Sequence, residues 1–457
     1  MMQGMIGMQN KKRFKLVTNF GIVSRFVLPV SLTIAIVISL IFTGLISINP
    51  AHFTHTNKST TRSTAENSTI TARTISDIYS PTQVLQTDAS QAQKLLYDNK
   101  VNVINEVQKS MRQWQFTKTS KVTRLSAQAY AQLLQQANML LLNYPDLLAG
   151  SLFNTVYQQK IKFDRKLEFN RILIPTKNPK HIYLLNDSQF SVQALNVTPR
   201  GLKKLLKKIN QASGKVPVSE RLYEKNVLLT YTQGVTLKQY SYLLNKQTAN
   251  SLVKGLLNNG GLSSVKTKKK TNRTVYEDGN FRRMTVFSKS GVVSYQNFDG
   301  SRDTTGYSKI LRNAYTDLVS IGVPLDNMRF FETNEDATNF VYRTYVEGFP
   351  IFNQTRYGSV QLNYDTQGNT QMRFSLYSLQ VPLPNNKPMV TLMSSDAVLA
   401  RLVAHGIAIK KIQDMQVGYR WTTNSSSNMV IDLKPVWYIE INDEWLRLDQ
   451  WLTKNNN

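Results

Sequence analysis

FVLPVSLTIAIVISLIFTGLISI, Phe26–Ile48, is a run of twenty-three residues without one charge. At ~1.5 Å rise per residue a helix of this length spans ~34 Å, enough to cross a ~30 Å hydrocarbon core with some tilt. A secretory signal core is shorter and ends at small residues, whereas this run ends at SINPAHF. The stretch therefore reads as a retained transmembrane helix. Lys11, Lys12, Arg13, Lys15 and Arg25 precede it, and no acidic residue occurs before Glu66. Basic residues hold their side of a first membrane segment in the cytoplasm. The expected topology is single-pass in the cell membrane, with a cytoplasmic N-terminus and extracytoplasmic C-terminal domains.

The chain of 457 residues exceeds what one hydrophobic core usually supports. With 41% hydrophobic residues, 21 Tyr and 19 Phe, it has ample material for cores. It contains no cysteine, which excludes disulfides, thiolate metal sites and thiol nucleophiles. A cysteine-free exported chain suits a Gram-positive bacterium. The net charge of +27 is concentrated: residues 160–300 hold 26 Lys and Arg against 8 Asp and Glu, while 301–457 hold 15 of each. An outward-facing domain rarely meets nucleic acid, so none is expected as partner. Anionic lipid or an anionic wall polymer is the natural counter-surface. The candidate contacts are Lys203, Lys204, Lys207, Lys208, Lys268, Lys269 and Lys270; the bland alternative is a solvated basic face.

The expected fold class is α+β: one N-terminal transmembrane helix, then a multi-domain extracytoplasmic region of helices packed on antiparallel sheets. Residues 1–25 form a cytoplasmic basic tail, 26–48 the membrane helix, and 49–73 a Ser/Thr-rich tether too polar to bury a core. An N-terminal ectodomain follows over 74–197. Val103, Ile104, Val107, Met111 and Trp114 predict a helix over 101–114, and a second starts at a Ser126 N-cap. LLYD, KFDRKLEFNRILI and HIYLLND read as strands. A central basic domain over 198–300 opens with Thr198-Pro199 as cap and first turn of a lysine-faced helix, with Gly214 as a plausible terminator. A helix near 248–258 precedes the hairpin of FRRMTVF and VVSYQNF. The C-terminal domain, 301–457, begins with a helix through Ile310, Leu311, Ala314 and Leu318. Its hairpins turn at Glu347-Gly348, at Thr366–Asn369 and at Asn442–Glu444, with a helix over 395–404. The last two domains repeat one order, helix then antiparallel strands, which suggests that they are related.

No catalytic residue can be named. The four histidines, His52, His55, His181 and His405, form no metal-spaced cluster, and no HExxH, GxSxG or phosphate-loop pattern occurs. The pairs Glu335-Asp336 and Asp443-Glu444 read as solvated turns. No metal, no cofactor and no enzymatic activity are expected. The sharpest pattern lies in the anchor. Ser31, Ala35, Ser39 and Thr43 recur every four residues and form one ridge, opposite Ile34, Val37, Ile38 and Ile41. Helices associate in lipid through such small and hydroxyl-bearing residues.

Several segments together resemble the YycH family, membrane-anchored regulators of the WalK–WalR (YycG–YycF) two-component system. They are the short basic tail, the SINPAHF-like exit from one anchor, and the Ser/Thr-rich tether. DIYSPTQVLQ, NKVNVINEVQKSMRQW, the YVEGFPIF hairpin and the KPVWYIEI strand follow in order. The companion family YycI shares the architecture but is much shorter. The resemblance implies a non-enzymatic role in cell-wall signal transduction. It implies as partners a WalK-type sensor histidine kinase and a YycI-like membrane protein, engaged largely through membrane helices. It further implies a three-domain extracytoplasmic region.

Overall fold

The structure, a computed structural model, describes Ile36 and residues 73–97, 102–257, 265–279, 281–300, 302, 305–352, 359–424 and 427–454. Ser31, Ala35, Ser39 and Thr43 lie outside the described residues, as do the tail and nearly all of the tether. Among the described residues no helix is long and apolar enough to cross a membrane. Contacts divide the chain into Met1–Arg62 and Ser63–Asn457. Only the second unit is described in detail.

Its first large sheet has ten antiparallel strands among the described residues, centred on Met139–Ala149. That strand lies between Gln83–Thr87 and Glu168–Pro175, with Leu141 opposite Leu85 on one side and Leu173 on the other. Being central, it buries both faces. Leu140 and Leu142 enter one core and Leu141 enters a second. The helices Val103–Arg112 and Leu202–Asn210 cover the first face, placing Val107, Met111, Leu205 and Ile209 in the same core as Leu140. Asn102 caps the former by accepting from the Asn105 N–H at 3.1 Å. Pro145 is tolerated because the register with Glu168–Pro175 shifts between Asn143 and Leu148.

Of the remaining strands among the described residues, Val235–Leu237 and Val390–Leu392 pair with each other alone and the others build a sheet of fourteen. One part is an eight-stranded meander with two halves of the same element order. The helix Ala249–Leu256 precedes Lys266–Lys270, Arg273–Glu277, Arg282–Phe287 and Val292–Asn297. The helix Tyr307–Ser320 precedes Met328–Thr333, Asn339–Val346, Ser359–Tyr364 and Thr370–Ser375. The last strands of the halves pair antiparallel, Val292 opposite Ser375 and Asn297 opposite Thr370. The helix-then-strands order read from the sequence is thus present twice. The second half carries one extra strand, Phe349–Phe352, between Asn339–Val346 and Ser359–Tyr364; it pairs in parallel with Ile412–Thr423, which pairs along its length with Val430–Ile441.

Three sequence readings change. The lysine helix starts after Gly201, whose φ of +70° turns the chain, because Thr198 is still paired in a strand opposite Gln115. It ends at Asn210, and Gly214 instead opens the strand Gly214–Tyr223. The predicted strand over 162–174 begins only at Glu168. Residues 198–300 are no self-contained body: Gly214–Tyr223 and Asn226–Tyr231 belong to the first sheet, while Tyr240–Lys246 and the strands from Lys266 onward belong to the second. Both cores cross the same line. Tyr79 and Tyr342 share one, and Leu141 and Trp437 share the other.

Candidate functional site

The predicted lysines fall in two places. Lys203, Lys204 and Lys207 project from Leu202–Asn210 into solvent, while Lys208 is partly covered and pairs with Glu106 at 2.6 Å. Lys268, Lys269 and Lys270 lie on the strand Lys266–Lys270, exposed along its length. Strand alternation separates them: Lys268 and Lys270 share a face with Lys266, and Lys269 points to the other. Lys268 is also paired, with Glu277 at 3.2 Å. The seven residues therefore do not act as one run of charge.

Register adds residues the sequence reading missed. Lys266 stands opposite Glu277, which stands opposite Arg283; Lys270 stands opposite Arg273. Further along, Thr285, Ser294 and Arg373 continue the row of Lys268. Directly opposed residues share a face, so Lys266, Lys268, Lys270, Arg273, Arg283 and Arg373 decorate one side of the sheet. The residues between them point inward, where Met284, Val293 and Tyr295 are buried. The missed signal was the period-two pattern of RRMTVF and VVSYQN.

Charge is also buried. Arg171 is 5% exposed and bonds Asp187 at 2.8 Å and the fully enclosed Glu220 at 2.6 Å. Asn143 Nδ2 donates to Glu220 Oε1 at 2.6 Å, and the Tyr130 hydroxyl donates to Asp187 at 2.6 Å. Asp187 and Glu220 outweigh the desolvation that burial imposes and hold Arg171 charged, its pKa raised.

A second group is almost purely acidic. Asp414 and Glu440 are directly opposed across Ile412–Thr423 and Val430–Ile441. On its other side Glu440 faces Trp445, whose indole Nε1 donates to Glu332 Oε2 at 2.7 Å. Asp146, from the first sheet, accepts the Thr333 N–H at 2.7 Å and the Leu147 N–H at 2.7 Å. Desolvation pushes Glu440 up to about 9, reinforced by Glu332, Asp414, Asp443 and Asp146. Desolvation likewise lifts Asp146 to about 7 and Asp414 to about 6 against their hydrogen bonds. Arg343 is the cation beside Glu332 and Glu440, its guanidinium 4.4 Å and 4.2 Å from the rings of Phe331 and Phe352, while Arg171 acts on Asp414. No sequence spacing marks this group, because its members come from four separated strands and a turn. Glu335, Asp336, Asp443 and Glu444 do sit in exposed turns or at their margins.

Among the described residues no three or more His, Asp or Glu side chains could hold a metal ion. A small, partly open pocket lies between Val323, Met328, Phe374, Leu379 and Trp421, with the polar side chains of Gln247, Asp326 and Ser378 on its wall. What these surfaces offer is charge and shape.

Comparison with known proteins agrees along the chain. Residues 28–214 match the YycH protein N-terminal domain family and residues 224–456 the YycH protein C-terminal domain family. The fold is similar to the crystal structure of YycH from Bacillus subtilis, with a TM-score of 0.68 at 17% identity, covering 83% of this chain and 98% of that one. An uncharacterized protein from Eubacterium rectale covers 53% of this chain and 90% of its own at 9% identity, with a TM-score of 0.32, too low to bear on the fold. No curated protein matches the chain. With both halves matched in order, the chain belongs to the YycH family, and that membership implies a regulatory role in the WalK system.

Proposed function

We propose that the chain is a non-enzymatic, single-pass regulator of a WalK-type sensor histidine kinase, acting with a YycI-like partner through its membrane helix and its extracytoplasmic region. The observation that carries this reading is the family match through both halves, which begins at residue 28, inside the charge-free run Phe26–Ile48. Regulation requires contacts that differ between two states of the kinase, since equal binding to both shifts nothing. A difference of about 1.4 kcal/mol changes the state ratio tenfold, within reach of a few helix–helix contacts.

Ser31, Ala35, Ser39 and Thr43 supply the small-residue ridge for that packing. The test is a membrane pull-down of the kinase and the YycI-like partner with three forms: the full chain, one lacking residues 1–48, and Ala35→Leu/Ser39→Leu. The truncated form is expected to lose both partners. The double variant should insert normally but recover less of them. Full recovery by both altered forms would refute a role for the anchor.

A further inference from the structure

The cationic side of the sheet Lys266–Asn297 ends in two phenylalanines. Phe281 lies two residues before Arg283, and Phe298 two residues after Gln296, so alternation places both rings on the side that carries Arg283. They are neighbours, the Phe298 N–H donating to the Phe281 carbonyl at 2.9 Å. Both are exposed, 56% and 49%. The single carboxylate on that side within these strands, Glu277, is held between Lys268 at 3.2 Å and Arg283 at 3.0 Å. Lys266, Lys270 and Arg273 have no carboxylate partner among the described residues. Asp278 faces Arg282, and Asp299 accepts from Asn297.

Lysines on an outer strand are an ordinary guard against edge-to-edge pairing. That role needs neither arginines on the inner strands nor a pair of rings standing in water. We propose that this face docks on the surface of an anionic phospholipid bilayer, with its lysines and arginines at the head groups and Phe281 and Phe298 entering the apolar boundary. Strand geometry makes the face broad. Lys266 to Lys270 spans ~14 Å, and the five strands out to Thr370–Ser375 span ~19 Å, several lipid head groups in each direction. A polyol-phosphate wall polymer would satisfy the cations but offers no apolar phase for the rings. A bilayer offers both layers at the needed depth.

The absence of cysteine makes the test direct, because Thr285→Cys gives one labelling site in the middle of the face. The full chain carrying an environment-sensitive fluorophore at that site is mixed with excess nanodiscs of phosphatidylcholine, or of phosphatidylcholine and phosphatidylglycerol in equal parts. A blue shift in the anionic discs only, reversed by salt, is expected. Lys268→Glu/Arg283→Glu should lower the lipid-contacting population roughly tenfold. Phe281→Ser/Phe298→Ser should leave the salt-dependent contact but reduce the shift, with unchanged circular dichroism for both pairs. No difference between the two discs would overturn the inference. So would a shift produced by soluble polyglycerol phosphate and not by lipid. Retention of the chain on the discs reports the anchor separately, so failure of the anchor and failure of this face are distinguishable.

Discussion

Asp414 and Glu440 oppose each other directly across an antiparallel strand pair, two acids where a sheet usually places unlike charges. The strands tolerate this because Glu440 is held protonated to about pH 9 and Asp414 to about pH 6. A carboxyl with a folded-state pKa above its unfolded value favours the fold fully at pH values below the unfolded one, near 4. That contribution is lost as pH rises through the folded value. Stability should therefore fall as pH increases through about 6 for Asp414, 7 for Asp146 and 9 for Glu440. Glu440→Gln keeps the neutral shape and removes the titration. Its melting temperature should exceed that of the unchanged chain at pH 9 by several degrees, corresponding to ~1–3 kcal/mol, and match it at pH 5. Equal melting curves at both pH values would show that the acids do not interact as their register implies.

Local grammar was legible in the sequence wherever a turn had to be tight. Glu347 and Gly348 both take positive φ, 51° and 88°, between the strands Asn339–Val346 and Phe349–Phe352. Asn442 and Asp443 do the same between Val430–Ile441 and Glu444–Arg447. Ser126, Thr248 and Ser394 cap the helices they precede. Long-range placement was not legible. The apolar run MLLL reads equally as helix or strand, and only its central position, with Leu140 and Leu141 in different cores, settles it. The cationic face was hidden for a related reason. Lys268–Lys270 looks like one basic run, but register divides it and recruits Arg283 and Arg373 from other strands.

Arg171 is the charge whose removal should cost most. Arg171→Met leaves Glu220, 1% exposed, without its cation. Breaking a buried ion pair from one side typically costs ~3–5 kcal/mol. Arg171→Met/Glu220→Leu removes both charges and should recover a large part of that loss. Urea denaturation of the two variants measures the difference. A single variant as stable as the unchanged chain would place Glu220 in contact with water.

Tyr79 ties the beginning of the described region to the C-terminal half. Its hydroxyl donates to the Leu311 carbonyl at 2.5 Å and lies 2.9 Å from the Tyr342 hydroxyl. Tyr79→Phe removes the second donor to the Leu311 carbonyl, which lies within the helix Tyr307–Ser320, and the partner of the Tyr342 hydroxyl together, for an expected loss of ~1–3 kcal/mol. Tyr342→Phe removes only the second contact and should cost less. Chemical denaturation orders the two. The reverse order would mean that the bond from Tyr79 to the Leu311 carbonyl adds nothing to the helical bond that carbonyl already accepts.

Gly418 marks the closest approach where Phe349–Phe352 joins the C-terminal strands. A Cβ at this position would stand 2.7 Å from Phe352 Cδ2 and 2.8 Å from the Pro350 carbonyl oxygen. Phe352 cannot easily yield. It stacks on Tyr438 with centroids 3.9 Å apart, and the Arg343 guanidinium lies over its ring. The backbone at Pro350 is held by the pairing of Ile351 with Tyr419. Gly418→Ala should therefore destabilise by ~1–3 kcal/mol through overpacking rather than through backbone strain. Phe352→Leu in the same chain relieves one of the two contacts and should restore part of the loss, although Phe352→Leu alone is destabilising. That reversal of sign, measured by urea denaturation in a double-mutant cycle, separates a steric join from simple loss of a ring. An additive pair would show that Gly418 and Phe352 do not touch.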